Sequence, residues 1–215
     1  MVLKCRVSET GPYPKYSAAL ADAQRALGLV QLHAAEWKMG PECVGGLGSS
    51  AGGHLAVALR THNQQRVYNP IDAAETLSCR PDFTVLVYPA CLSIPGQNLM
   101  ANKDLLTTAQ TPPMFPVQAE NDPYVESAIA SYAALRSANV PPELHRYAEG
   151  GHGFELRQTA LPVTGWPGSV EAWLKTIGIL KTPKKYPLRV QKFLRIGDTN
   201  TCYGDQDEPE SQRTS

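Results

Sequence analysis

The sequence predicts an α/β fold, with a mostly parallel sheet carrying helices on both faces. Three observations predict it. Short apolar runs rich in β-branched residues alternate along the chain with longer segments of helical period. One of those runs, Phe83 to Tyr88, has no polar face, as a strand buried on both sides requires. A turn made of glycine and serine, Gly48 to Gly52, falls where a strand passes into a helix.

The elements follow in order. Val2 to Val7 reads as a short strand, and Gly11, Pro12 and Pro14 after it forbid a continuing helix. Ser17 can cap the next segment, in which Leu20, Ala23, Leu27, Val30, Ala34 and Trp37 recur at steps of three and four. That spacing predicts a helix from Ser17 to Trp37, stopped by Gly40 and Pro41. Cys43 to Leu47 is a short strand weakened by glycine, followed by a helix from about Ala51 to Thr61. Phe83 to Tyr88, Met114 to Ala119 and Leu144 to Tyr147 complete the strands. Val125 to Ala138 is helical, with Val125, Ile129, Tyr132 and Leu135 on or near one face, and Val170 to Ile177 opens the last helix. The domain therefore runs over residues 1–180. Beyond it Lys181, Lys184 and Lys185 lead to an acidic end at Asp205, Asp207, Glu208 and Glu210, so residues 181–215 are expected to form a mobile tail outside the fold.

Composition mainly excludes. Twenty basic residues balance twenty acidic ones, which leaves no electrostatic footprint for nucleic acid or an anionic membrane and suits a neutral substrate. No apolar run approaches the roughly 18 residues of a membrane span, and the N-terminal apolar stretch is too short for a signal peptide. The expected location is cytoplasmic, or secreted or periplasmic if the native start lies further upstream. Cys5, Cys43, Cys79, Cys91 and Cys202 form no C-x-x-C pair and have no histidine at metal-ligand spacing. They read as buried small hydrophobes, and no metal site is expected.

The chemistry concentrates in three segments. Gly48-Ser49-Ser50-Ala51-Gly52 matches G-x-S-x-G between a strand and a helix, the context in which a serine occupies a strained turn with small residues two positions to either side. The helix that follows points free N–H groups at the site, and Ala51 N–H is the expected oxyanion donor. Centring the motif on Ser49 would put Leu47 and Ala51 where glycine is wanted, so Ser50 is the nucleophile candidate. A serine needs a base and a group that orients the base. His54 and His62 belong to the helix after Ser50, and His145 lies inside a strand. His152, in Glu149-Gly150-Gly151-His152-Gly153-Phe154, sits on a loop past the carboxyl end of a strand, where catalytic groups of open α/β sheets collect. For the acid, Glu120 and Asp122 both follow the Met114 to Ala119 strand. Asp122 is favoured because Pro123 turns the chain there.

With Tyr13-Pro14, Asp22-Ala23-Gln24-Arg25-Ala26, Gly48 to Ala56, Arg80-Pro81-Asp82-Phe83, Ala119 to Pro123 and Glu149 to Phe154 in view, the chain resembles bacterial α/β-hydrolase esterases related to acetylxylan and feruloyl esterases. The similarity extends from about Val2 to about Leu180. It implies an α/β-hydrolase fold, the triad Ser50, Asp122 and His152, a carboxylic-ester substrate (often acetyl or another acyl group on a sugar) and no cofactor.

The chain departs from that pattern in having no Gly-rich loop before Ser50 to donate a second oxyanion N–H, and in having Ser49 where Phe is common. It reads as an N-terminally truncated member that lacks a central strand. Val2 to Val7 is therefore expected to be displaced or weakly paired, beside a well-formed core from Cys43 to Ile177. Two other readings stay open. One is a prolyl-oligopeptidase-like peptidase, which shares the turn and the late histidine; the other is an inactive or partner-dependent fragment. Oligomeric state is not legible.

Overall fold

The computed structural model describes residues 1–6, 16–94, 97, 99–102 and 106–181. Strands β1 (Gly46–Ser49), β2 (Thr84–Val87), β3 (Met114–Ala119) and β4 (His145–Tyr147) form one sheet in the order β1-β2-β3-β4. All three pairings are parallel: Gly48 lies opposite Leu86, Leu86 opposite Pro116, and Ala119 opposite Tyr147. Helices α1 (Ser17–Leu32), α2 (Ala51–Thr61), α3 (Val125–Ser137) and α4 (Trp166–Thr176) cover it.

Alternation along the strands sorts the core into two layers, as a period of two dictates. Leu86 and Met114 face one side with Leu20 and Leu27 of α1, Val57 of α2 and Leu135 of α3. Val85, Val87, Phe115 and Val117 face the other with Trp166, Val170 and Trp173 of α4. Every residue of β2 and β3 is buried, which accounts for the missing polar face in the sequence.

Several bounds differ from the sequence expectation, each for a local reason. β1 begins three residues later than Cys43, because Val44 is engaged elsewhere: its N–H donates to Asp82 Oδ2 at 2.8 Å and its carbonyl accepts Asp82 N–H at 2.8 Å. The α1 pattern extends past Leu32 as turns instead of helix, closed by Lys38 at φ 56°. There Trp37 leaves the core and stacks on His33, with ring centroids 5.2 Å apart. α4 starts four residues before Val170, since Pro167 sits in its first turn, where a missing N–H leaves no bond unmade.

Among the described residues Val2 to Arg6 form no strand. Arg6 is instead held to α1, its guanidinium Nη2 2.8 Å from Asp22 Oδ1. Among the described residues β1 is thus the edge of the sheet, and its Leu47 is exposed. The cysteines also differ from expectation: Cys79 is buried, but Cys43 and Cys91 are exposed and Cys5 is intermediate. Among the described residues no helix is long and apolar enough to cross a membrane. Residues 182–215 of the tail expected over 181–215, and Tyr13-Pro14, lie outside the described residues.

Candidate active site

The turn between β1 and α2 places Ser50 at the carboxyl end of the sheet with φ 52° and ψ −120°. A non-glycine residue there is strained, and such strain persists only where the surroundings over-determine it. The surroundings are visible. Ser50 N–H donates to Val87 O at 3.1 Å, while Ser50 O accepts Gly53 N–H at 3.0 Å and Ala90 N–H at 3.3 Å.

The demand for small residues is real but falls differently from the motif. A Cβ on Gly48 would lie 2.0 Å from the Gly52 carbonyl oxygen, and one on Gly53 would lie 3.0 Å from Pro89 Cβ, whereas one on Gly52 would meet nothing within 4 Å. The close packing of α2 on β1 thus requires glycine at position 48, and Pro89 leaves little room at position 53. Ala51 opens α2, so its N–H has no acceptor within the helix.

The structure brings the three sequence-predicted side chains together. Ser50 Oγ lies 2.8 Å from His152 Nε2, and His152 Nδ1 lies 2.8 Å from Asp122 Oδ2. The Asp122 side chain is fully buried, and its second oxygen, Oδ1, accepts Tyr124 N–H at 2.7 Å. A carboxylate so bonded supports the imidazole tautomer that carries its proton on Nδ1 and leaves Nε2 to face the hydroxyl.

Glu120, the other acid candidate, points away and pairs with Arg146. Its backbone N–H still bonds Tyr147 O at 2.7 Å, extending the β3–β4 ladder, so its side chain leaves the sheet before the chain turns toward His152. The remaining histidines after Ser50 are structural: His54 and His62 pack against Tyr16, and His145 stacks on Phe115 and pairs with Glu143.

Three site residues have no counterpart in the sequence expectation. Asn121 Oδ1 accepts both Gly150 N–H at 3.1 Å and Gly151 N–H at 2.7 Å, tying the acid loop to the histidine loop. Tyr88 and Tyr124 bracket the imidazole of His152 at centroid distances of 5.0 and 5.2 Å. Tyr88 is buried, and burial pushes its phenol above the ordinary value. Tyr88 follows β2 and Tyr124 follows β3, at the same carboxyl edge as the triad residues, and that placement is a signal readable from sequence. Strain gathers here too: Tyr88, Cys91 and Glu155 have φ of 37°, 59° and 46°. The Glu155 carbonyl is held by the Trp166 indole N–H at 2.7 Å.

Comparison with known proteins follows the same lines. The family model described as BD-FAE matches residues 3–87. An acetylxylan esterase of Xylanibacter ruminicola is 26% identical over 203 residues, covering 83% of this chain and 39% of that protein. The chain therefore spans about two fifths of the length of that relative. An acetyl ester-xyloside bifunctional hydrolase of Caldicellulosiruptor lactoaceticus is 32% identical in its crystal structure, with a TM-score of 0.67, over 79% of this chain and 68% of that one. An α/β-hydrolase enzyme from a Medee basin deep-sea metagenome library is 27% identical, with a TM-score of 0.62, over 80% of this chain and 69% of that one.

Proposed function

The chain belongs to the α/β-hydrolase-fold esterases that resemble acetylxylan esterases, and from that premise we propose that it hydrolyses carboxylic esters through an acyl-enzyme on Ser50. One observation carries the proposal: the unbroken relay from Ser50 Oγ through His152 to buried Asp122, with both contacts at 2.8 Å, on a serine held at φ 52°.

In acylation Ser50 Oγ attacks the carbonyl carbon while His152 Nε2 takes the hydroxyl proton. Asp122 holds the ring and stabilises the imidazolium that forms. Negative charge develops on the carbonyl oxygen, and Ala51 N–H, at the positive end of α2, is the donor aimed at it. As the tetrahedral species collapses, the bond from carbon to the alcohol oxygen breaks and Nε2 returns the proton to that oxygen. Water then attacks the acyl-enzyme with His152 again as base, and the carboxylic acid departs as Ser50 regains its proton.

The activities of the relatives, an acetylxylan esterase and an acetyl ester-xyloside bifunctional hydrolase, support a short acyl group, acetyl above all, on a carbohydrate alcohol. The charge balance of the chain supports a neutral ester.

A fluorophosphonate probe tests the proposal. The expected result is stoichiometric labelling that maps to Ser50 and disappears in Ser50→Ala together with turnover of p-nitrophenyl acetate, while Ser49→Ala keeps both. Labelling at another residue, or full turnover in Ser50→Ala, would overturn it.

A further inference from the structure

We propose that Tyr124 is the platform for the leaving alcohol, and that this alcohol carries a six-membered ring, of a sugar or of an aryl group. The inference rests on the ester-hydrolase reading and assigns the alcohol side of that same site.

The chemistry places the alcohol. His152 Nε2 must hand the proton to the departing oxygen, so that oxygen comes within about 3 Å of Nε2 in the collapsing tetrahedral species. The rest of the alcohol then extends past the rim of the imidazole. Two aromatic rings neighbour the imidazole, and they are not equivalent. Tyr88 is 2% exposed and packs edge-to-face on Phe154 with centroids 4.7 Å apart, so no substrate reaches it. Tyr124, 5.2 Å from the imidazole centroid, is 42% exposed.

Tyr124 is also held in place. Its N–H donates to Asp122 Oδ1 at 2.7 Å, and the residue immediately precedes α3. Its backbone is therefore fixed, and it presents an aromatic ring, open to solvent, beside the imidazole that protonates the alcohol. A sugar presents a C–H face and an aryl alcohol presents a π-system, and either can stack on or meet such a ring. A short acyclic alcohol covers less of the ring and gains less from it.

Three esters sharing the acetyl group make the test: p-nitrophenyl acetate, an O-acetylated methyl xylopyranoside and ethyl acetate. All three pass through the same acetyl-enzyme and differ only in the alcohol. Tyr124→Ala is expected to lower the ratio of kcat/KM for the ring-bearing esters to that for ethyl acetate by about 3- to 10-fold, the range of one aromatic contact. Tyr124→Phe keeps the ring and is expected to hold that ratio within about twofold. A change confined to one ring-bearing ester supports the platform and identifies its alcohol as sugar or aryl. An equal loss on all three esters overturns the inference, because a ring that only steadied His152 would give that result. Ser50→Ala, measured in parallel, separates the two levels. Turnover that depends on Ser50 with an unchanged ratio defeats the platform alone, whereas turnover that survives Ser50→Ala, or is absent from the unaltered chain, defeats the hydrolase reading and the platform with it.

Discussion

Asn121 Oδ1 accepts the backbone N–H of Gly151 at 2.7 Å, so the residue before Asp122 holds the residue before His152. Gly150 N–H converges on the same oxygen at 3.1 Å, so two adjacent amides are gathered by one side-chain carbonyl. The acid and the base are thus joined twice, once by their own hydrogen bond and once by the backbones that carry them. Gly151, at φ 64°, adopts the left-handed conformation that glycine takes without strain.

Asn121→Ala removes that second connection and leaves the triad side chains in place. The expected loss in kcat for p-nitrophenyl acetate is about 10- to 100-fold, the cost of a misplacement near 1 Å. Asn121→Asp keeps an acceptor oxygen and should restore most of the rate. Steady-state kinetics on both variants, with thermal melts to show that each is folded, check this. Equal losses in the two would mean that the oxygen is not what matters.

Triad members act as a unit, so His152→Ala should fall as far as Ser50→Ala, on the order of 10⁶-fold in kcat. Asp122→Asn should cost less, on the order of 10⁴-fold, because the base remains but its tautomer is wrong. Glu120→Gln, which releases only the exposed partner of Arg146, should stay near the unaltered rate. A larger effect from Glu120 than from Asp122 would reassign the acid.

The two glycines that flank Ser50 should respond in opposite ways. Gly48→Ala drives a methyl to 2.0 Å from a backbone oxygen of α2, and the expected destabilisation is about 3 kcal/mol or more, or failure to accumulate folded protein. Gly52→Ala meets no atom within 4 Å and should raise stability by about 0.5–1 kcal/mol through helix propensity. Chemical denaturation of the two variants distinguishes them.

Acid stability should depend on a cluster remote from Ser50. Arg25 bonds Asp72 through both guanidinium ends, at 2.8 and 2.6 Å, and Glu75 at 2.6 Å. The Arg25 hydrogen bonds hold the Asp72 carboxyl well below its ordinary value. The Asp72 N–H, and then Arg25, bring Glu75 down to about 2 from 4.5. Both carboxylates are more acidic folded than unfolded, so their contribution is complete above about pH 4.5 and is lost as the pH falls toward 2. Melting temperatures measured between these limits should drop less steeply in Arg25→Met than in the unaltered chain; parallel slopes would remove the cluster from the account.

Local sequence alone determined much of this protein, because local pattern governs local backbone. The apolar period placed α2 and β3 on their observed bounds, and glycine around Ser50 marked a turn that few other residues could form. Chain order and loop position picked out Asp122 and His152 as the residues that the structure brings to Ser50. What the pattern could not reach was any outcome set by how separate segments meet. Glu120 and Asp122 are two residues apart and chemically alike; the β3–β4 pairing turned one outward to Arg146 and let the other turn in. The tie from Asn121 spans 30 residues to Gly151, and the contact from Ser50 to His152 spans 102. Val2 to Arg6 carry strand-forming residues but form no strand, and Arg6 is tied to Asp22 of α1 instead. Residue type and spacing could nominate these groups, but only the packing of helices on a sheet settles which side chains share a few ångströms.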